Sequence, residues 1–194
     1  MDAINSTNKS RALAILVNAF ATVPGALWVV KKDDKIKERI KVLCEFCLET
    51  SRQKDGAFIS SDQKGVALIF DSRKKQNPIS WLLGYIKLGN KCIGWSRAWS
   101  IIKREHTIQS KRPKNAHLYF WMLAVEDNSN GVQTIIELRD FAYELSNKTG
   151  LPIYAETTSK RNKLMYQRYG FKVYDTWAIP QQNLMMWFMK REIA

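Results

Sequence analysis

The period of the apolar positions changes several times along the chain, and each change predicts an element. Residues 10–21 place Ala12, Leu16, Ala19 and Phe20 on one side of a helix, with Ser10 as a candidate cap and Pro24-Gly25 as a break. A second helix is expected over 33–50, with Ile36, Ile40, Leu43, Cys44 and Cys47 turned inward. Two β-rich runs, 56–61 and 65–71, flank the sequence SDQK and predict a hairpin. A polar, basic loop covers 72–79. Residues 80–108 are long and apolar, and read as two helices broken near Gly89-Asn90. Helical spacing assigns the aromatic residues there (Trp81, Tyr85, Trp95, Trp99) to the core, with the wall of a pocket as the alternative.

From residue 117 the pattern becomes regular. HLYFWMLAV is a strand of aromatic and aliphatic residues, and DNSNG is a turn. Helical periodicity runs over 132–145 until Gly150 and Pro152 stop it. LPIYAETT is the next strand, SKRNKLMYQR a short helix ending at Gly170, FKVYDTW a strand and NLMMWFMKRE a final strand. A β-α-β unit of this kind aims the N-terminus of its helix at whatever binds beside the first strand.

Composition adds bounds. The 194 residues, 45% hydrophobic and 25% charged, suit one globular domain. The net charge of +13 favours polyanionic partners, among them nucleic acid or a phosphorylated cofactor. Its cations sit in small scattered clusters, with neither zinc-finger spacing nor an RNA-recognition signature, so nucleic acid is not the expected partner. Three cysteines make no disulfide framework and point to a reducing, cytoplasmic setting. Cys44 and Cys47 form a C-x-x-C without a second ligand pair, and read as core residues rather than a metal site. Lys9 and Arg11 before ALAILVNAF imitate a signal peptide, but Asp2 and Asn18 interrupt it. No apolar run reaches the ~18 residues that would span a bilayer, so no membrane partner is expected.

The run ETTSKRNKLMYQRYGFKV resembles the last motif of the GCN5-related N-acetyltransferase (GNAT) superfamily, in the form E-T-S-x-x-R-N-x-x-F-Y-x-x-x-G-F found in its puromycin-acetyltransferase-like branch. Glu156, Thr157, Arg161, Asn162, Tyr166, Gly170 and Phe171 match without a gap. HLYFWMLAVED resembles the strand that lies against the acetyl-CoA arm. The resemblance implies an α/β (α+β) fold of the acyl-CoA N-acyltransferase type, a mixed, splayed sheet flanked by helices. It divides the chain into an acceptor-side half (1–115) and an acetyl-CoA-binding half (116–194). One part departs from the family. Where the phosphate loop reads Q/R-x-x-G-x-G/A, an ungapped count from Val125 finds Asn130, Gln133 and Ile135, with Gly131 the loop's sole glycine.

The resemblance implies transfer of an acetyl group from acetyl-CoA to a primary amine of a small molecule or peptide. The backbone N–H groups of Leu123, Ala124 and Val125 would face the cofactor arm, and Tyr166 would return a proton to the departing thiolate, which an ordinary phenol can do at neutral pH. Asn162, one helical turn before Tyr166, would bond the cofactor's amide arm. Gly131, Val132, Gln133, Thr134 and Ile135 would cradle the pyrophosphate with Asn130, the hydroxyl of Thr134 among the donors. Glu156 and His117 are the nearest candidate bases, with a solvated strand end and a satisfied edge residue as their alternatives. Two other readings stay open: an inactive binding module on the same fold, and a basic nucleic-acid-binding protein.

Overall fold

The computed structural model of the chain describes residues 1–126, 131–179 and 183–193. Its centre is one sheet of seven strands: β1 (Asp2–Ala3), β2 (Ala57–Ile59), β3 (Gly65–Asp71), β4 (Leu118–Val125), β5 (Ile153–Thr157), β6 (Lys172–Ile179) and β7 (Leu184–Arg191), in the spatial order β1-β2-β3-β4-β5-β7-β6. The β4–β5 pair is parallel and the other pairs are antiparallel. The expected mixed sheet is therefore present. β1, too short to carry a pattern, was not legible in the sequence.

Helices cover both faces. α1 (Lys9–Phe20), α2 (Pro24–Val29) and α3 (Ile36–Gln53) lie on one side. Ala12, Ile15 and Leu16 of α1 and Ile40, Cys44 and Leu48 of α3 bury against Val66, Leu68, Met122 and Ala124 of the sheet. α6 (Gly131–Thr149) and α7 (Lys160–Arg168) lie on the other side, where Leu138, Ala142 and Tyr166 meet Ala67, Ile69, Phe120 and Ala155. Fully burying one leucine such as Leu138 stabilises the fold by about 1.5–3 kcal/mol.

Both cysteines of the C-x-x-C are in the first core. Burial pushes the Cys44 thiol up to about 12, and Cys47 is also raised by its removal from water. They pack as small apolar groups.

Some boundaries differ from the sequence reading. Pro24 does not end structure: it opens α2 at its first turn, where a missing N–H costs nothing. Ser10 is not the cap of α1, because the helix begins one residue earlier, at Lys9. The chain does not break at Gly89-Asn90 either. α4 (Pro78–Leu88) runs into a π-helical turn, Gly89–Ile93, and the break comes at Gly94, whose φ of 78° suits glycine, before α5 (Trp95–Lys111). Finally, Trp81, Trp95 and Trp99 are not core residues. They are 46%, 68% and 77% exposed.

One irregularity positions the site. Leu68 pairs with Met122 but Ile69 with Phe120, so Trp121 is an extra residue in β4. Such a bulge reverses the alternation of side chains. Before it, Leu118 and Phe120 face α6 and α7; after it, Leu123 and Val125 do.

Candidate active site

β4 and β5 pair only briefly. Their register covers Leu118↔Ile153, Tyr119↔Tyr154 and Phe120↔Ala155, and it does not continue among the described residues. Beyond Phe120 the sheet opens. On the other edge of β4, the N–H of Glu126 donates to the Lys64 carbonyl at 2.9 Å. Strand alternation then turns the N–H groups of Leu123 and Val125 away from β3, into the opening, and that of Ala124 toward β3. The Ala124 side chain is buried on the α1–α3 side.

α6 begins beside this open edge. A Cβ on Gly131 would lie 3.6 Å from the Glu126 carbonyl oxygen and 3.8 Å from a Val125 methyl, so no neighbouring atom demands glycine here. The N–H groups of Gly131, Val132 and Gln133 have no acceptor among the described residues, and they stand at the positive end of a 19-residue helix. The side chains around them point in different directions. Val132 and Gln133 are exposed, Gln133 on the side of Glu137 and Met1. Ile135 lines the cleft between α6 and α7. Thr134 corrects an expectation: it is buried, and its hydroxyl donates to the Asp62 carboxylate at 2.8 Å, turned toward the β2–β3 hairpin instead of outward. Asn130 lies outside the described residues.

α7 closes the other side. Ser159 caps it, its hydroxyl accepting from the Asn162 N–H at 3.3 Å. Asn162 keeps its own side chain exposed, while Tyr166, one turn on, is only 8% exposed. The ring of Tyr166 packs on Phe171 at 5.2 Å and reaches Phe120 of β4 at 6.5 Å. Its hydroxyl makes no hydrogen bond among the described residues, and burial pushes the phenol up to about 12. Phe120, Leu123, Ile135, Met165 and Tyr166 thus line one apolar cleft.

The two candidate bases are both engaged elsewhere. Glu156 is not a solvated strand end. β5 is an interior strand, and the carboxylate receives Arg112 through Nε (2.6 Å) and a second nitrogen (3.0 Å), with the Tyr119 hydroxyl donating at 3.0 Å. Burial alone would lower the Arg112 guanidinium, but its contact with the Tyr119 hydroxyl and the charge and hydrogen bond of Glu156 raise it overall. His117 is buried. Desolvation lowers its pKa, and its Nδ1 sits 2.7 Å from the Asn115 carbonyl oxygen. It lies six residues before Leu123, about 20 Å along the strand.

Sequence reasoning missed the partners of Glu156. Arg112 looked like one of many surface cations. A carboxylate on an interior strand was the available signal, since it cannot stay charged there without a cation. It also missed the wall beyond the end of β5. There the Gly25 backbone of α2 lies against Thr158: a Cβ on Gly25 would be 3.5 Å from the Thr158 hydroxyl and 3.8 Å from an Arg104 nitrogen. Arg97 and Arg104 both stack on Trp28, at 5.5 and 5.1 Å, and Arg97 also donates to the Trp28 and Val30 carbonyls.

No protein-family model and no curated protein matches the sequence. Solved structures do match the fold. An acetyltransferase from Corynebacterium glutamicum, described as related to histone acetyltransferase HPA2, superposes with a TM-score of 0.69 over 100% of this chain and 95% of its own, at 19% identity. Arylalkylamine N-acetyltransferase 2 from Aedes aegypti gives 0.59, over 100% and 98%, at 13% identity. A GNAT-family acetyltransferase from Desulfovibrio desulfuricans gives 0.55, over 100% and 96%, at 11% identity. With its parallel β4–β5 pair splayed open beside the start of α6, the chain carries the fold of the GNAT acetyltransferases, the family that its segments 117–125 and 156–173 resemble.

Proposed function

We propose that the chain is an N-acetyltransferase that moves an acetyl group from acetyl-CoA to a primary amine. The observation that carries this reading is the opening of the sheet: the N–H groups of Leu123 and Val125, without a partner among the described residues, point into the opening, and Leu123 shares one apolar cleft with the ring of Tyr166. The residues present fit the donor. A pantetheine-like arm needs backbone partners along an apolar trough, and the open edge of β4 supplies them. A pyrophosphate needs N–H donors and positive charge, and the first turn of α6 supplies both.

Acetyl-CoA supplies an activated acyl group, its thioester, to the amine. The acyl carbon–nitrogen bond forms as the carbon–sulfur bond breaks, and two protons must be managed. The N–H groups of Leu123 and Val125 donate toward charge that develops on the carbonyl oxygen. Tyr166 holds its proton throughout the physiological range, because burial raises its pKa to about 12, and can release it to the leaving sulfur. The proton lost by the amine leaves to solvent, from which Tyr166 regains its own, since Glu156 is bound to Arg112 and His117 stands far along the strand. Trp28, Arg104 and Thr158, gathered around α2 beyond the end of β5, are the proposed acceptor side. The Aedes aegypti relative in fold is an arylalkylamine N-acetyltransferase, and a small amine is the proposed acceptor class here too.

The test is acetyl transfer to a panel of primary amines, read as released thiol, with the Tyr166→Phe variant in parallel. Turnover should fall about 10²–10⁴-fold in the variant while its fold and donor affinity hold. Unchanged turnover would return Tyr166 to packing. A second reading, an inert module on this fold, is favoured by Gln133 and Ile135 standing where the family has glycines. It predicts no transfer to any amine and no donor binding.

A further inference from the structure

We propose that the α4–α5 segment docks the protein onto the surface of an anionic lipid bilayer. α4 has two apolar faces and the fold uses one. Gly84 allows close contact with Phe46 of α3, Tyr85 packs edge-on against Phe46 at 5.2 Å, and Leu88 is buried. The opposite face presents Ile79, Leu82, Leu83 and Ile86, at i, i+3, i+4 and i+7, which are 69%, 53%, 61% and 44% exposed. Asn77 fixes the start of this helix by accepting from the N–H groups of Ile79 and Ser80, so the stripe is held by a capped helix and not by a frayed one. α5 repeats the arrangement. Arg97, Arg104 and Ile108 turn inward, while Trp95, Trp99 and Ile102, at i, i+4 and i+7, turn out.

Charge identifies the occupant. From Ser72 to Arg104 the chain contains no Asp or Glu. Lys75, Lys91 and Lys103 in this segment are exposed and make no ion pair among the described residues. A second copy of the chain, with its own +13, would bring the same cations against them. A protein groove is a poorer fit: the stripe stands on a single helix with apolar residues on nearly every side, so it forms a ridge. A helix with leucine, isoleucine and tryptophan on one face and lysine at its margins is the form that lies in a bilayer interface, where indoles sit among the headgroups and anionic lipid attracts the lysines. At 11 residues, about 16 Å, α4 is far too short to span, and no helix of the described residues is long and apolar enough to do so. The attachment is peripheral. It does not depend on the acetyltransferase reading, because it uses none of the residues of the cleft.

The full chain should co-sediment with vesicles of phosphatidylcholine mixed with phosphatidylglycerol, weakly with phosphatidylcholine alone, and less as salt is raised. The tryptophan emission should shift to the blue on binding. In the double variant Leu82→Ser/Leu83→Ser the partition constant should fall by about 10-fold or more, with the far-ultraviolet spectrum unchanged. The charge variant Lys75→Glu/Lys91→Glu/Lys103→Glu, which leaves the apolar stripe intact, should lose the preference for phosphatidylglycerol. No sedimentation with the anionic vesicles at low salt would overturn the proposal. So would binding that survives Leu82→Ser/Leu83→Ser. A vesicle-free dimer that the same double variant dissolves would assign the stripe to a second copy instead.

Discussion

The helix pairs α6–α7 and α4–α5 differ in how many of their apolar residues the fold covers. α6 and α7 bury one face each, and what they bury matches the single periodic stripe in their sequences: Leu138, Ala142 and Ser146 of α6, Tyr166 of α7. α4 and α5 follow the same helical period with more apolar residues than one face can hold. Their inner faces are covered, and Ile79, Leu83, Trp95 and Trp99 stay in contact with solvent. Periodicity therefore specifies the helix in both places. It specifies the burial only where the apolar residues are few enough to fit one side.

The largest effect is expected where a charge is buried. Arg112→Met removes the only cation that forks onto Glu156 among the described residues, and leaves a carboxylate at 12% side-chain exposure beside Tyr119. Loss of stability by about 3–5 kcal/mol in urea unfolding is expected. A change below about 1 kcal/mol would mean that Glu156 finds water or another donor.

The next two variants set the helix pairs side by side. Leu138→Ala in α6 should cost about 2–5 kcal/mol, since Leu138 is fully buried. Leu83→Ala in α4 should change stability by no more than about 0.5 kcal/mol, since Leu83 is 61% exposed. Equal losses in the two variants would show that α4 is covered in solution and would erase the contrast.

A smaller effect follows from His117. Burial lowers its pKa in the folded state, so the unfolded chain takes up a proton first as the pH falls. Its contribution to stability is complete above its unfolded pKa of about 6.5 and is lost progressively as the pH falls below that value toward the folded pKa. His117→Asn should flatten the stability profile across this acid window. An unchanged slope would mean that the histidine is not desolvated.

Much of the C-terminal half was legible because each signal there is local. A continuous run of aromatic and aliphatic residues gave β4, Gly150 and Pro152 ended α6, and Ser159 opened α7 at the predicted place. The run containing Asn162 and Tyr166 resembles the motif of the family whose fold the chain carries. What could not be read depends on partners distant in sequence. Arg112 and Glu156 meet across 44 residues, and Thr134 reaches back 72 residues to Asp62. The bulge at Trp121, which decides whether Leu123 or Ala124 faces the cleft, leaves no mark in a uniformly apolar strand. α2 escaped notice because Pro24 is a breaker inside a helix and a starter at its first turn, and composition does not tell the two apart.

The most direct test of the acetyltransferase account is a calorimetric titration of the native chain with acetyl-CoA, paired with the melting temperature at saturating donor. The account predicts one saturable site per chain and stabilisation that grows with donor concentration, about 2.7 kcal/mol at a hundred times the dissociation constant. Neither heat nor a shift in melting temperature at millimolar acetyl-CoA would contradict it, and would leave the open edge of β4 as a feature of the fold without the donor it is proposed to hold.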